Sequence, residues 1–276
     1  MNIGKSTKKE IQFLITVITG FLLILSYLPV FAQQSDSIVP IKKDPEVLLR
    51  KINIKSVTKH GFNFWQDDFT GHWAGIDFGF NTFVNTDYTG YDTEFMKSNL
   101  FRSNSLYINL IQQSIGLQAN RNTIGLVTGL GVQFKGYRLD RNTTFERQPN
   151  GRIVPVVLTY NDNQRSKLSL IYLTLPLLAE FQVPVKHYND RFYFSGGLFM
   201  GYRVSAQTKV IYRVDKKEKL KIPDSFSTPK LKYGVMVRAG YRWINLFATY
   251  DFQPFFKEGL GPQLTPLTFG FTILGF

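Results

Sequence analysis

The chain of 276 residues contains no cysteine, which excludes several kinds of structure and chemistry. Without thiols there is no disulfide framework, no thiolate metal site and no cysteine nucleophile. Long apolar runs are also missing beyond residue 32. This excludes a bundle of membrane-spanning helices, because each such helix needs about 20 predominantly apolar residues.

Acidic side chains are the minority among the charged residues, since 20 Asp and Glu face 33 Lys and Arg, for a net charge of +13. The first 32 residues hold three lysines and one glutamate, so +11 remains in the rest of the chain. Such a surplus suits nucleic acid, anionic lipid headgroups or an acidic partner. Aromatic residues are abundant instead: 25 Phe and 14 Tyr bring their share to 15%, beside 22 Gly. Many aromatics and glycines without a long apolar run are typical of a transmembrane β-barrel.

The first 32 residues have the pattern of a secretory signal peptide. Lys5, Lys8 and Lys9 precede an apolar stretch from residue 13 to 28, and Val30-Phe31-Ala32 provides small residues for cleavage after Ala32. An uncleaved membrane anchor is the alternative, because the apolar stretch is long for a signal peptide. Residues 33–70 are polar and mixed, and we interpret them as a largely irregular periplasmic lead.

Residues 71–276 show a period of two, in which bulky apolar residues alternate with small or polar ones. Because strand side chains alternate between the two faces, one face is apolar and the other is polar. The predicted strands lie at residues 72–85, 105–119, 124–135, 173–181, 192–204, 231–242, 246–253 and 267–273. The second strand keeps its pattern only if a bulge lies near Gln112. We therefore predict an all-β fold, an eight-stranded antiparallel up-and-down transmembrane β-barrel.

The connections between these strands alternate in length, which predicts the topology of the barrel. Short ones lie at 119–123, 184–190 and 242–244, and long ones at 86–103, 139–166, 214–229 and 255–264. Outer-membrane barrels have short periplasmic turns and long external loops. With eight strands, the N- and C-termini of the barrel would both lie in the periplasm. A soluble barrel with a ligand pocket is disfavoured, because its bulky apolar residues would face inward.

Four motifs in this order resemble the PorT-like outer-membrane β-barrel family: GHWAGIDFGFN at 71–81, LVTGLG at 126–131, YLTLPLL at 172–178 and GPQL at 261–264. The resemblance covers residues 71–276 and implies the barrel fold and an outer-membrane location. It also implies a link to protein secretion, since PorT itself is implicated in a secretion system. It implies no catalytic residues.

Six charged residues fall on the predicted inner face: Asp77, Lys135, Glu180, Arg203, Arg238 and Asp251. They could line a path for ions or solutes, or pair with one another and block the interior. Eight strands leave an interior that side chains can fill, and unpaired charges there are costly. We favour the charge-paired, blocked interior and expect Glu180 to pair with Arg203 on the neighbouring strand.

The connection between the fifth and sixth strands carries the densest positive charge of the chain. From residue 209 to 232 there are eight basic and three acidic residues, and four of the basic ones are Lys216, Lys217, Lys219 and Lys221. In the predicted topology this loop faces the cell exterior, so we expect it to meet lipopolysaccharide or an acidic envelope partner. Modules for base stacking are missing, so nucleic acid is not an expected partner.

No motif in the sequence indicates an enzyme or a cofactor. The Gly125-x-x-x-Gly129-x-Gly131 run lacks the spacing of a nucleotide-binding loop and suits the inner face of a narrow barrel. His60, His72 and His187 have no metal-site spacing and no serine in a recognisable arrangement. We therefore expect a non-enzymatic barrel without cofactor or metal, an envelope component or an accessory of a secretion or assembly complex. The alternatives are a small pore or solute channel and, less favoured, an outer-membrane acyltransferase or lipase.

Overall fold

The computed structural model describes residues 69–97, 99–118, 122–139, 143–157, 165–185, 191–213 and 217–275. The predicted signal peptide and most of the predicted lead lie outside these residues, as do His60, His187 and Lys216. No helix within the described residues is long and apolar enough to cross a membrane.

The described residues form eleven strands and one short 3-10 helix, Leu100–Arg102. In chain order the strands are β1 (Gly75–Asp87), β2 (Asn104–Gly116), β3 (Ile124–Arg138), β4 (Thr143–Arg147), β5 (Ile153–Val157), β6 (Arg165–Pro184), β7 (Arg191–Arg213), β8 (Lys217–Pro223), β9 (Leu231–Tyr241), β10 (Ile244–Asp251) and β11 (Gln263–Gly275). Eight of them pair antiparallel in the closed order β1-β2-β3-β6-β7-β9-β10-β11, and β11 returns to β1. The predicted eight antiparallel strands are thus confirmed, and they form a closed ring.

The ring has an apolar outer face and a largely polar inner face, as the period of two predicts. Leu177, Val237 and Phe271 on the outside are 43–46% exposed. Glu180, Arg238 and Thr268 on the inside are at most 3% exposed. Because alternate residues of a strand point to opposite faces, one register fixes all of these positions together.

The predicted irregularity of the second strand is a bulge at Leu110. Strand pairing passes from Asn109–Gly131 directly to Ile111–Leu130, so Leu110 has no partner on β3. The bulge lies two residues before the expected position. It turns Gln112 into the interior, where its side chain is 1% exposed.

The connections alternate in length as predicted. We call the end of the ring with connections 117–123, 185–190 and 242–243 the short-turn end, and the opposite end the long-loop end. Two of the long connections contain strands that the sequence did not reveal. β4 and β5 form a hairpin between β3 and β6, and β8 pairs with the far half of β7. The expectation of a basic loop at 214–229 is therefore wrong in part, because Lys217, Lys219 and Lys221 belong to a strand.

Candidate functional site in the ring interior

The six predicted interior residues are all buried inside the ring, and four of them form charge clusters. Nearest the short-turn end, Arg238 binds Asp77 through two hydrogen bonds, Nη1 to Oδ2 at 2.8 Å and Nη2 to Oδ1 at 3.1 Å. Asn109 and Thr272 donate further hydrogen bonds to the same carboxylate, at 2.8 and 2.7 Å. The Arg238 guanidinium also lies 5.4 Å from the Trp73 ring centroid. This geometry satisfies both oxygens of a fully buried carboxylate.

A second cluster lies nearer the long-loop end of the ring, where two lysines share one carboxylate. Asp251 Oδ2 lies 3.8 Å from Lys135 Nζ and 3.5 Å from Lys232 Nζ, and all three side chains are at most 6% exposed. The Lys232 ammonium also lies 4.5 Å from the Tyr172 ring centroid. Lys232 was not among the predicted site residues, although its parity with Arg238 already placed it inside. The aromatic face contributes a cation–π attraction that partly offsets the shortage of negative charge.

The predicted pairing of Glu180 with Arg203 is wrong. Glu180 Oε1 contacts His72 Nδ1 at 2.7 Å, and its Oε2 accepts the His72 backbone N–H at 3.1 Å. Arg203 donates instead to the Ser225 carbonyl and the Thr228 hydroxyl, at 2.5 and 2.7 Å. Glu180 is opposite Ser195 on β7, whereas Arg203 is opposite Tyr172, eight residues farther along β6. Eight residues of strand separate these positions by about 26 Å.

The segment 69–74, just before β1, fills the short-turn end of the ring, and we call it the plug. Phe69 and Trp73 are 1% exposed and pack in a cluster with Val127, Leu178, Phe199 and Met236. The Gln112 side chain accepts the backbone N–H groups of Trp73 and Ala74, at 2.6 and 2.9 Å. The expected first strand, from residue 72, therefore begins only at Gly75, because the residues before it insert into the interior.

Two glycines of β3 make room for the plug. A Cβ added at Gly125 would overlap the Phe69 ring, and one at Gly129 would lie 2.6 Å from the Trp73 indole. This explains the glycine run as a packing feature of a narrow interior.

The long-loop end is closed by a second hydrophobic cluster, which we call the cap. All four long connections contribute buried aromatic residues to it: Phe95, Phe145, Phe226, Phe255 and Phe256. Polar contacts join the loops as well. Arg147 pairs with Asp224 at 2.7 Å, and Ile153 N–H donates to the Leu260 carbonyl at 2.7 Å. Burial at the rim of the cap, followed by the nearby Glu94, raises the pKa of Tyr88 to about 12.

Residues 64–258 match the family model of the outer membrane protein beta-barrel domain. The chain belongs to this family. No curated protein and no solved structure matches the chain significantly. Membership of this family makes the chain an outer-membrane protein, and the exposed apolar outer face of its ring is the surface that meets lipid. On β6 this face runs from Ile171 to Val183, and these thirteen residues slightly exceed the ~9–11 that a tilted transmembrane strand needs.

Proposed function

We propose that this barrel is a non-enzymatic, non-conducting component of the outer membrane, with its long-loop end at the cell surface and both barrel termini in the periplasm. The observation that carries the proposal is the closure of the interior at both ends. The plug fills one end and the cap covers the other, with the Asp77–Arg238 pair and the two-lysine cluster between them. A solute would have to displace buried side chains that are hydrogen-bonded or ion-paired with one another to pass.

Single-channel recording tests this proposal against the alternative of a small pore. We expect the refolded protein in a planar bilayer to give no stable conductance steps under conditions in which a general porin conducts. Heat-modifiable gel mobility and protection from protease establish that the protein has folded and inserted. Reproducible steps of uniform size from the folded protein would contradict the proposal and favour the pore.

The proposed orientation can be tested by thiol labelling, because the native chain has no cysteine and any label on the purified protein reports the introduced residue. Asn150 lies exposed in the β4–β5 turn at the long-loop end, and Trp243, 85% exposed, lies in the β9–β10 turn at the short-turn end. A membrane-impermeant maleimide should label Asn150→Cys in intact cells but label Trp243→Cys only after the outer membrane is permeabilised. The reverse pattern would invert the topology.

We further propose that the barrel serves as an accessory of a secretion or assembly complex. The support is the resemblance of four motifs in residues 71–276 to the PorT-like family. A closed interior is also compatible with a scaffold rather than a conduit. Affinity purification from native membranes in mild detergent should recover envelope proteins in stoichiometric amount, compared with an unrelated barrel carrying the same tag. Recovery of the barrel alone would remove this role.

A further inference from the structure

Four basic residues lie side by side across four neighbouring strands, and we call them the basic row. Strand register places Arg138 of β3 opposite Lys167 of β6, Lys167 opposite Lys209 of β7, and Lys209 opposite Lys221 of β8. With strands about 4.8 Å apart, the row spans roughly 14 Å. The basic connection predicted from the sequence thus continues onto the wall of the ring.

The basic row faces outward, as the burial of its strand neighbours shows. Ser166 and Leu168 on either side of Lys167 are at most 1% exposed, and Thr208 and Val210 around Lys209 are 2% exposed. Because alternate residues point to opposite faces, the cations between them lie on the outer surface. Lys221 is exposed on the same surface of β8.

The row lies just beyond the lipid-facing surface, at the depth of lipid headgroups. The apolar surface of β6 ends at Ile171, and Lys167 follows only four residues farther toward the long-loop end. Its side chain bends back toward the membrane, since a Cβ at Gly136 would lie 2.6 Å from Lys167 Nζ. At the foot of the row is a groove of about 370 Å³, where the polar side chains of Ser169 and Gln207 adjoin the apolar Ile171.

Nothing among the described side chains neutralises the central part of this row. No described carboxylate forms an ion pair with Lys167, Lys209 or Lys221. Like charges directly opposite one another on a sheet destabilise it. A bound anion would relieve that repulsion, and an anion with acyl chains would also cover the apolar surface below.

We propose that the basic row and its groove bind the phosphate groups of lipopolysaccharide. The row supplies cations at headgroup depth, and the apolar surface below the groove accepts the acyl chains. The occupant follows from the proposed placement of the long-loop end at the cell surface, where the outer leaflet holds lipopolysaccharide. The phosphate chemistry itself follows from the row alone.

The test compares two double variants that remove the same charge. Lys167→Gln/Lys209→Gln removes the centre of the row, whereas Lys97→Gln/Lys257→Gln removes two exposed lysines of the long loops. Binding of fluorescently labelled lipopolysaccharide to the full-length protein in neutral detergent is followed by anisotropy. At low salt we expect roughly thirtyfold weaker binding for the row variant and less than about threefold for the control. High salt should reduce the difference, and Lys167→Arg/Lys209→Arg should keep parental affinity.

Competition experiments identify the recognised group. Unlabelled lipid A should displace the probe, and enzymatically dephosphorylated lipid A should not. Equal affinity of the row variant and its parent, with heat-modifiable mobility intact in both, would overturn the proposal. Equal displacement by phosphatidylglycerol would overturn lipopolysaccharide as the occupant. The assay does not depend on conduction, so a conducting barrel that binds as expected would overturn the proposed function alone.

Discussion

The pair of Asp77 and Arg238 offers a quantitative test of the interior arrangement. We expect Asp77→Asn and Arg238→Met each to lower the free energy of unfolding by about 3–5 kcal/mol, because each leaves a buried charge without its partner. Asp77→Asn keeps the size of the side chain and a carbonyl that can accept from Thr272. The stability lost in this variant therefore comes from leaving the Arg238 guanidinium without its ion pair, and not from a cavity. After Arg238→Met the carboxylate keeps two neutral donors, Asn109 and Thr272, which only partly replace the ion pair.

The double variant distinguishes a paired charge from two independent contributions. When both charges are removed, no uncompensated ion stays buried, so Asp77→Asn/Arg238→Met should be at least about 2 kcal/mol more stable than the sum of the single losses predicts. Urea unfolding of the barrel in phosphatidylcholine vesicles, followed by tryptophan fluorescence, gives the four free energies. The exposed pair of Glu94 and Lys97, 57% and 62% exposed, is the control and should couple by less than about 1 kcal/mol. Strict additivity at Asp77 and Arg238 would refute the reasoning.

Two further predictions concern the two faces of the wall. Leu175→Arg places a charge near the middle of the apolar surface of β6 and should cost about 2–4 kcal/mol of folding free energy. Gln207→Arg, on the same outer face but on β7 at headgroup depth, should cost about 0–1 kcal/mol. Equal losses in vesicle unfolding would mean that the depth assignment is wrong. On the inner face, Gly125→Ala should cost about 1–3 kcal/mol by overlap with the Phe69 ring. Adding it to Phe69→Ala should cost nothing more, and a further loss there would show that the glycine serves another purpose.

The sequence predicts the wall of this barrel well because the wall obeys a local rule. Alternation of side chains assigned eight strands and both faces, including the inward positions of Asp77 and Arg238. The same rule detects a change of parity, and so it predicted a bulge two residues from its actual place at Leu110. Burial on one face enforces this pattern, since a shift by one residue would exchange the two faces.

Contacts between distant positions could not be predicted in the same way. Parity shows that Glu180 and Arg203 both point inward, but not that strand register separates them. The short connection at 185–190 sets that register and places Ser195 opposite Glu180, a signal that was present in the loop length. The plug was harder to recognise in the sequence. Trp73 and Gly75 continue the alternation of the first strand, although the chain joins the wall only at the start of β1. Strand β8 was hidden because its lysines resemble a solvated loop.

The cap has a consequence for how this protein can vary. Its four loops share one buried cluster, so each loop forms part of the solvent shield of the other three. Exchange of a single loop for an unrelated sequence would expose aromatic side chains of its neighbours and weaken the whole surface, not one epitope. Insertions should be tolerated instead next to the exposed Asn150, provided that they leave Gly151 and Arg152 in place, because these two residues form hydrogen bonds with Ser227 and Gly90 of neighbouring loops. An antibody raised against this end of the molecule, or a phage that binds there, would therefore recognise one composite surface formed by all four connections.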